Sequence, residues 1–409
     1  MDELNRLREE HQWFYRLAHE PARDPDHPSA IRPEQALVEV TVRERRMRAI
    51  TEQLYLHGEA GRQVNPAPTP SLTEVQNTVS EETLLIEFYN DGTQLWAFLL
   101  DGQKIAVHCL PVTVDKLNQL LAQLQANIAA ALVVNPETIN ARRLTPSAQR
   151  ILQRLYSLLI EPVGIPSRRK QRLMIVPYGA LHYLPFHLLY DGSRYLIEQF
   201  EIVILPASGL AIRPPIQQKS GALILAHSWD GRLPHTVAEA QIVRSFFGGE
   251  LYAEEMAHRS VLQIEPSQIL HIATHGEHRL DQPDLSYLQL ADGQLYTDDL
   301  LQQNLGYELV TLSGCETGRA NVSGGDELIG LGRGFLYAGA GALLVSMWKV
   351  VDSSTMVFMK HFYQSLHAGN SKSEALRQAQ LQMLAQDRQM HPAFWGAFQL
   401  IGDHRRLSV

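Results

Sequence analysis

Two stretches decide the fold: QILHIATHG at residues 268–276 and ELVTLSGC at residues 308–315. Each is a short apolar run that ends in small and reactive side chains, and such runs read as strands buried on both faces of a sheet. Working outward, RLMIVP (172–177), FEIVILP (200–206), GALILAHS (221–228) and GALLVSMWKV (341–350) have the same character. Helical patterns separate them at 236–247, 325–338, 352–367 and 372–388. Strands alternating with helices predict an α/β protein with a doubly wound, mostly parallel sheet.

Upstream the period changes. LLIEFYN, QLWAFLL and KIAVHCL are joined by Asp91-Gly92 and Asp101-Gly102, which predicts a three-stranded meander from Thr83. Helices are expected at Val114–Leu132 and Ser147–Pro162. Residues 1–62 read as helix, loop, helix, and NPAPTPS at 65–71 reads as a linker. The basic run RERRMR at 43–48 has glutamates at 39, 44 and 52 around it, so a solvated helix face is expected. The expected organisation is a helical segment at 1–65, an α/β half at 66–165 and a larger α/β domain at 166–409.

The chain has 409 residues, long enough for more than one core-bearing unit. Apolar residues make up 45% and charged residues 20%, which excludes wholesale disorder. With 36 basic and 44 acidic side chains the net charge is −8, so a nucleic-acid partner is not expected. Two cysteines cannot form a disulfide framework and point to a reducing compartment. No secretory signal or membrane-spanning run is legible, so the expectation is a cytoplasmic protein away from the membrane.

In a doubly wound sheet, ligands sit beyond the carboxyl ends of the strands. One run ends at His275-Gly276 and another at Ser313-Gly314-Cys315. If the two strands are neighbours and parallel, Cys315 and His275 meet on one rim. A thiol is only slightly ionised at neutral pH, and a neighbouring imidazole raises the thiolate fraction and then protonates a leaving amine. Glycines beside both residues let backbone N–H groups approach a developing oxyanion.

LHIATHG at 270–276 and TLSGCETG at 311–318 resemble the His and Cys motifs of the CHAT family, caspase-like and separase-related cysteine peptidases. Segments 173–189, 233–243, 324–363 and 394–402 agree in order and spacing, and 72–100 resembles the family's degenerate amino-terminal half. The resemblance spans 72–402. It implies a caspase-like fold and an endopeptidase acting on a protein substrate, with Cys315 as nucleophile and His275 as general base and acid. The N–H groups of Gly276 and Cys315 would form the oxyanion hole. Gly314 departs from the alanine expected there, and no helical repeats are recognisable.

VSMWKVVD at 345–352 resembles the separase segment that lines the substrate cleft, which implies that Asp352 receives a basic side chain. The other reading of Asp352 is the N-cap of a helix beginning at Ser353. Trp348 is read either as a cleft wall or as core. Asp326 is a second acidic candidate, with a helix first turn as its alternative. The polar segment 316–325 is expected to be a switch or autocleavage loop with Arg319 as the cut site, and an activating protein partner or processing event is expected to control the enzyme.

Rival signals are weaker. His271 and His275 are four apart, but Ile272 stands where a helical zinc motif needs Glu, and in a strand the two would lie about 13 Å apart, so no metal is expected. No organic cofactor is called for either. Cys109 is expected to be a packed, inert thiol. His182 and His187 are expected in a loop near the rim, where a role in orienting His275 is the functional alternative. A non-catalytic caspase-like interaction module is the competing reading of the whole chain.

Overall fold

The computed structural model describes residues 2–19, 31–56, 70–133, 139–165, 171–278, 286–301, 303–317 and 330–408. The chain falls into two compact units, 1–68 and 69–409.

The first unit is a helical hairpin of α1 (Asp2–His19) and α2 (Pro33–Leu56). Ala36, Val40, Arg43, Glu44 and Met47 recur at helical spacing and turn toward α1. Ala36, Val40 and Met47 are buried. Arg43 donates to Glu10 at 3.0 Å and lies 4.0 Å over the Phe14 ring. His11 donates to the buried Glu44 at 3.1 Å. The basic run is therefore partly an inter-helix seam and not simply a solvated face, because three of its members, Arg43, Glu44 and Met47, fall on the stripe that packs.

The second unit begins with α3 (Leu72–Thr78), closed by a capping box between Ser71 and Glu74. Next come β1 (Thr83–Asn90), β2 (Leu95–Leu100) and β3 (Ile105–Cys109), paired antiparallel as the Asp-Gly signals predict. Each turn is held by its aspartate: Asp91 accepts from the N–H groups of Gln94 and Thr93, and Asp101 from those of Lys104 and Gln103. Helices α4 (Val114–Val133) and α5 (Ile139–Leu159) follow. α5 starts earlier than expected and carries Pro146 inside it, because its packed stripe extends back through Leu144. β4 (Arg172–Val176), α6 (Leu196–Gln199) and β5 (Glu201–Ile204) complete this half, with β4 parallel to both β1 and β5.

The second half runs through β6 (Ala222–Ala226), α7 (Thr236–Phe247), β7 (Glu250–Ala253), β8 (Ile269–His278), β9 (Tyr287–Leu290), β10 (Gly293–Tyr296) and α8 (Thr297–Leu301). It continues with β11 (Leu309–Thr317), α9 (Gly330–Tyr337), β12 (Ala342–Ser346), α10 (Asp352–His367), α11 (Lys372–Gln386) and β13 (Phe398–Gly402). The 13 strands of the described residues form one mixed, mostly parallel sheet. Its order is β3-β2-β1-β4-β5-β13-β12-β11-β8-β6-β7, with the β9–β10 hairpin on the carboxyl half of β8.

The two halves meet at β5 and β13 through a single register pair, Ile204 and Ile401. Helix α11 braces this thin seam. Ser373 donates to Glu201 at the start of β5, and Lys372 Nζ lies 3.1 Å from Asp403 just beyond β13. Gln380 donates to the Phe398 carbonyl at 2.9 Å.

Topology places the functional crevice. From β6 the chain crosses through α7 to β7 on one side, whereas from β8 it proceeds by way of α8 and α9 to β11 and β12 on the other. Right-handed crossovers then put α7 on one face and α8 and α9 on the opposite face. Strand order reverses between β6 and β8, which opens a crevice outside their carboxyl ends.

Two expectations need correction. Cys109 is exposed, with its thiol donating to Gln94 at 3.0 Å. β3 is the edge strand, and along it Ile105, Ala106 and Val107 are exposed too, so nothing packs over the thiol. Asp352 is the first residue of α10 and not its cap; Val351 holds the cap position, with no side-chain cap hydrogen bond.

Candidate active site

β8 and β11 lie side by side and parallel, so the carboxyl ends of the two decisive stretches share one rim. Register runs evenly from Leu309 opposite Ile269 to Ser313 opposite Ala273, then shifts, and Cys315 pairs with Gly276. A bulge in β8 therefore sets Thr274 and His275 opposite the single residue Gly314. Bulges of this kind re-aim side chains and recur beside active sites. The backbone brings Cys315 next to the residue that follows His275.

His275 itself is 6% exposed. Its imidazole stacks on Trp229, with ring centroids 3.8 Å apart and planes within 6°. Tyr287 of β9 meets the imidazole edge-on at 6.3 Å. The Arg232 guanidinium lies 4.2 Å from the centroid of the Trp229 ring. Trp229 and Arg232 belong to the loop 227–235 between β6 and α7, so the stack spans the crevice where strand order reverses.

That loop is strained and well anchored. Trp229, Asp230 and Gly231 are left-handed in succession, at φ 51°, 56° and 75°. Each non-glycine residue so held costs on the order of 1–3 kcal/mol. His227 N–H donates to the Ala273 carbonyl at 2.9 Å, tying the loop to β8. Ser228 donates through N–H and hydroxyl to Glu254 at 3.1 and 3.0 Å, and Glu254 is itself at φ 49°.

The other candidates lie as follows. Trp348 is 8% exposed, and its indole N–H donates to the Ala393 carbonyl at 2.9 Å, the arrangement of a core tryptophan. Asp352 opens α10, which follows the loop leaving β12. Asp326 and Arg319 lie outside the described residues, as does most of the segment 316–325. His187 is buried and donates to the Gly396 carbonyl at 2.7 Å, and burial pushes its pKa down to about 4. Its ring N–H is thus committed to the chain around Gly396. Among the described residues, no three His, Cys, Asp or Glu side chains converge to hold a metal ion, and no helix is long and apolar enough to cross a membrane.

Sequence reasoning missed Trp229, Arg232 and Tyr287. Tyr287 had a legible signal, because YLQLADGQLY at 287–296 is an alternating hairpin pattern with Asp292-Gly293 at its turn. Trp229 could be found only by knowing that β6 neighbours β8.

The separase of the Saccharomyces cerevisiae separase–securin complex superposes on 92% of this chain and 34% of its own, with a TM-score of 0.50 at 12% identity. That likeness shows the caspase-like fold of cysteine peptidases. Tetratricopeptide repeat protein 28 of Mus musculus is 27% identical over 338 residues, a match covering 65% of this chain and 14% of that protein. The Homo sapiens protein of the same name matches to the same extent. The chain thus spans a small fraction of the length of these curated relatives. The CHAT domain family model matches residues 149–403, more than half of the sequence and all of the rim just described, and the chain belongs to the CHAT family.

Proposed function

We propose that this chain is a cysteine endopeptidase that cuts a protein substrate with Cys315 and His275. The observation that carries the proposal is the bulged register of β8 and β11, which pairs Cys315 with Gly276 on the rim where His275 stands. Cys315 gives its proton to His275 and attacks the scissile carbonyl carbon. The C–N bond then breaks as His275 passes that proton to the departing amine. Water, deprotonated by the same imidazole, adds to the thioester carbonyl carbon, and the C–S bond breaks to free the new carboxyl terminus and return Cys315 and His275 to their starting state. N–H groups of Gly276 and Cys315 hold the oxyanion. No metal or organic cofactor enters the scheme.

Asp352, and with it Asp326, supplies negative charge for a basic residue before the scissile bond, and Trp348 backs that part of the cleft from the core. Residues 1–65 form a helical segment, 66–165 the degenerate half and 166–409 the catalytic domain, whose first strands β4 and β5 complete the sheet of the degenerate half. Control by a protein partner or by processing fits the family, and separase is itself seen bound to securin. The reading places the chain in the cytoplasm, where thiols stay reduced.

A second reading, a non-catalytic caspase-like interaction module, has one observation in its favour. In the first half, β1, β4 and β5 run parallel yet end at Asn90, Val176 and Ile204, with neither cysteine nor histidine at those ends. That half shows the sheet kept without the dyad.

An irreversible thiol-reactive peptide probe with a basic residue beside its warhead separates the two. Labelling that vanishes in Cys315→Ala and persists in Cys109→Ala supports the peptidase. Because Cys109 is exposed, equal labelling of both variants would mean background chemistry and would remove the proposal.

A further inference from the structure

We infer that Trp229 is a positioning residue for His275, an inference that rests on the peptidase reading above. Three independent features of the loop carry it.

The first is the stack. Parallel rings at 3.8 Å occupy one face of the imidazole while leaving both ring nitrogens to other partners. Rotation about the bond that joins the imidazole to its β-carbon would break that contact, and Tyr287 stands edge-on beside the ring. An imidazole that must take a proton from sulfur and deliver it to nitrogen works only in a narrow range of planes. A flat aromatic partner also tolerates the ring after it gains charge.

The second is the backbone. Trp229 lies at φ 51°, where glycine or asparagine would sit with less strain than a bulky aromatic residue. Such an outlier persists only when surrounding structure over-determines it, and here the determinants are in place. Ser228 is clamped to Glu254, and His227 is tied to Ala273 two residues before His275. The strained turn thereby aims an indole at the imidazole. Arg232 lies over the Trp229 ring and fixes the indole in turn.

The third is topology. β6 and β8 are adjacent, and the chain leaves them in opposite directions, so the loop after β6 is the structure best placed to reach the end of β8 from outside the sheet.

The test uses the full chain carrying Cys109→Ala, with iodoacetamide as a small probe that needs no peptide site. Trp229→Asn keeps a residue content with left-handed backbone and removes the ring; Trp229→Phe keeps a ring. Alkylation of Cys315 should slow roughly tenfold in His275→Ala and by a similar factor in Trp229→Asn, with Trp229→Phe recovering most of the rate. In NMR spectra of histidine-labelled protein, the His275 ring protons should lose their upfield ring-current shift in Trp229→Asn.

Wild-type alkylation in Trp229→Asn, with His275→Ala slow, would overturn the inference and leave the peptidase reading intact. Wild-type alkylation in His275→Ala would instead sink the peptidase reading, and the inference with it. Should Trp229→Asn fail to fold, Trp229→Leu against Trp229→Phe makes the same comparison, and equal rates in that pair would overturn the inference.

Discussion

His271 and Thr311 stand opposite each other in the register of β8 and β11, and the hydroxyl of Tyr363 from α10 joins them. Tyr363 donates to Thr311 at 2.8 Å and accepts from His271 Nδ1 at 2.9 Å. On the other side of the imidazole, Glu239 of α7 comes within 3.0 Å of Nε2. All four side chains are buried. On each strand this cluster lies four residues before a member of the proposed dyad. It ties α7 and α10 to the two strands whose ends form the rim. Burial, reinforced by nearby Glu239, raises the Tyr363 phenol far above its ordinary pKa, so it remains a donor.

Tyr363→Phe should therefore destabilise the protein by about 1–3 kcal/mol, because it strips a partner from two buried polar groups at once. Chemical denaturation measures this directly. Thr311→Val in the same background should add little, since its hydroxyl has already lost its donor. A variant as stable as the parent would show that these hydrogen bonds contribute nothing.

The decisive strands were legible because buried parallel strands are continuous apolar runs, and their reactive ends, His275 and Cys315, could be read directly. What failed was whatever depends on strand order. Cys109 looked packed because its strand is apolar, yet only the sheet shows that β3 is an edge. Trp229 sits in HSWDGRLPH, an ordinary turn by composition, and gains meaning only beside β8. β7 is too short to stand out, whereas the β9–β10 hairpin carried an Asp-Gly signal that the meander at 83–109 had already illustrated.

Acid should weaken the fold through histidines buried without charge. Burial lowers His187 and His391 to about 4, and His404 to about 3. Their folded-state values lie below the ordinary 6.5, so between these limits the unfolded chain binds more protons. Stability is then fully present above pH 6.5 and is lost as pH falls toward 4. At about 1.4 kcal/mol per pKa unit, His187 and His391 each contribute on the order of 3 kcal/mol and His404 up to about 5 kcal/mol. Denaturation midpoints measured from pH 7.5 to 4.5 should fall steadily. His187→Gln retains an N–H for the Gly396 carbonyl and should flatten the profile; an unchanged slope would show that His187 does not titrate this way.

Buried Lys372 pairs with the partly buried Asp403 at the seam between the halves. Burial lowers the lysine pKa, and Asp403 opposes that shift. Lys372→Ala leaves the partly buried Asp403 carboxylate with only Arg405 as a cationic neighbour and should cost about 3 kcal/mol. The double variant Lys372→Met, Asp403→Leu should cost markedly less, since no charge is then stranded. If the double variant is the weaker of the two by thermal melting, the pair itself stabilises the seam.

The proposed preference for basic residues turns on Asp352. At the first position of α10 a carboxylate favours the helix dipole by about 0.3–1 kcal/mol, and Asp352→Ala should lose no more stability than that. An ion pair with a substrate guanidinium in a desolvated cleft is stronger, and truncating one partner costs about 2–5 kcal/mol. For peptides cut after Arg or Lys, kcat/KM should then fall at least about thirtyfold in Asp352→Ala. Peptides with an apolar residue at that position should be cut at an unchanged rate. Both numbers come from one peptide library assayed with the two proteins. A basic preference that survives the substitution would confine Asp352 to the helix end and move the recognition of charge elsewhere on the rim.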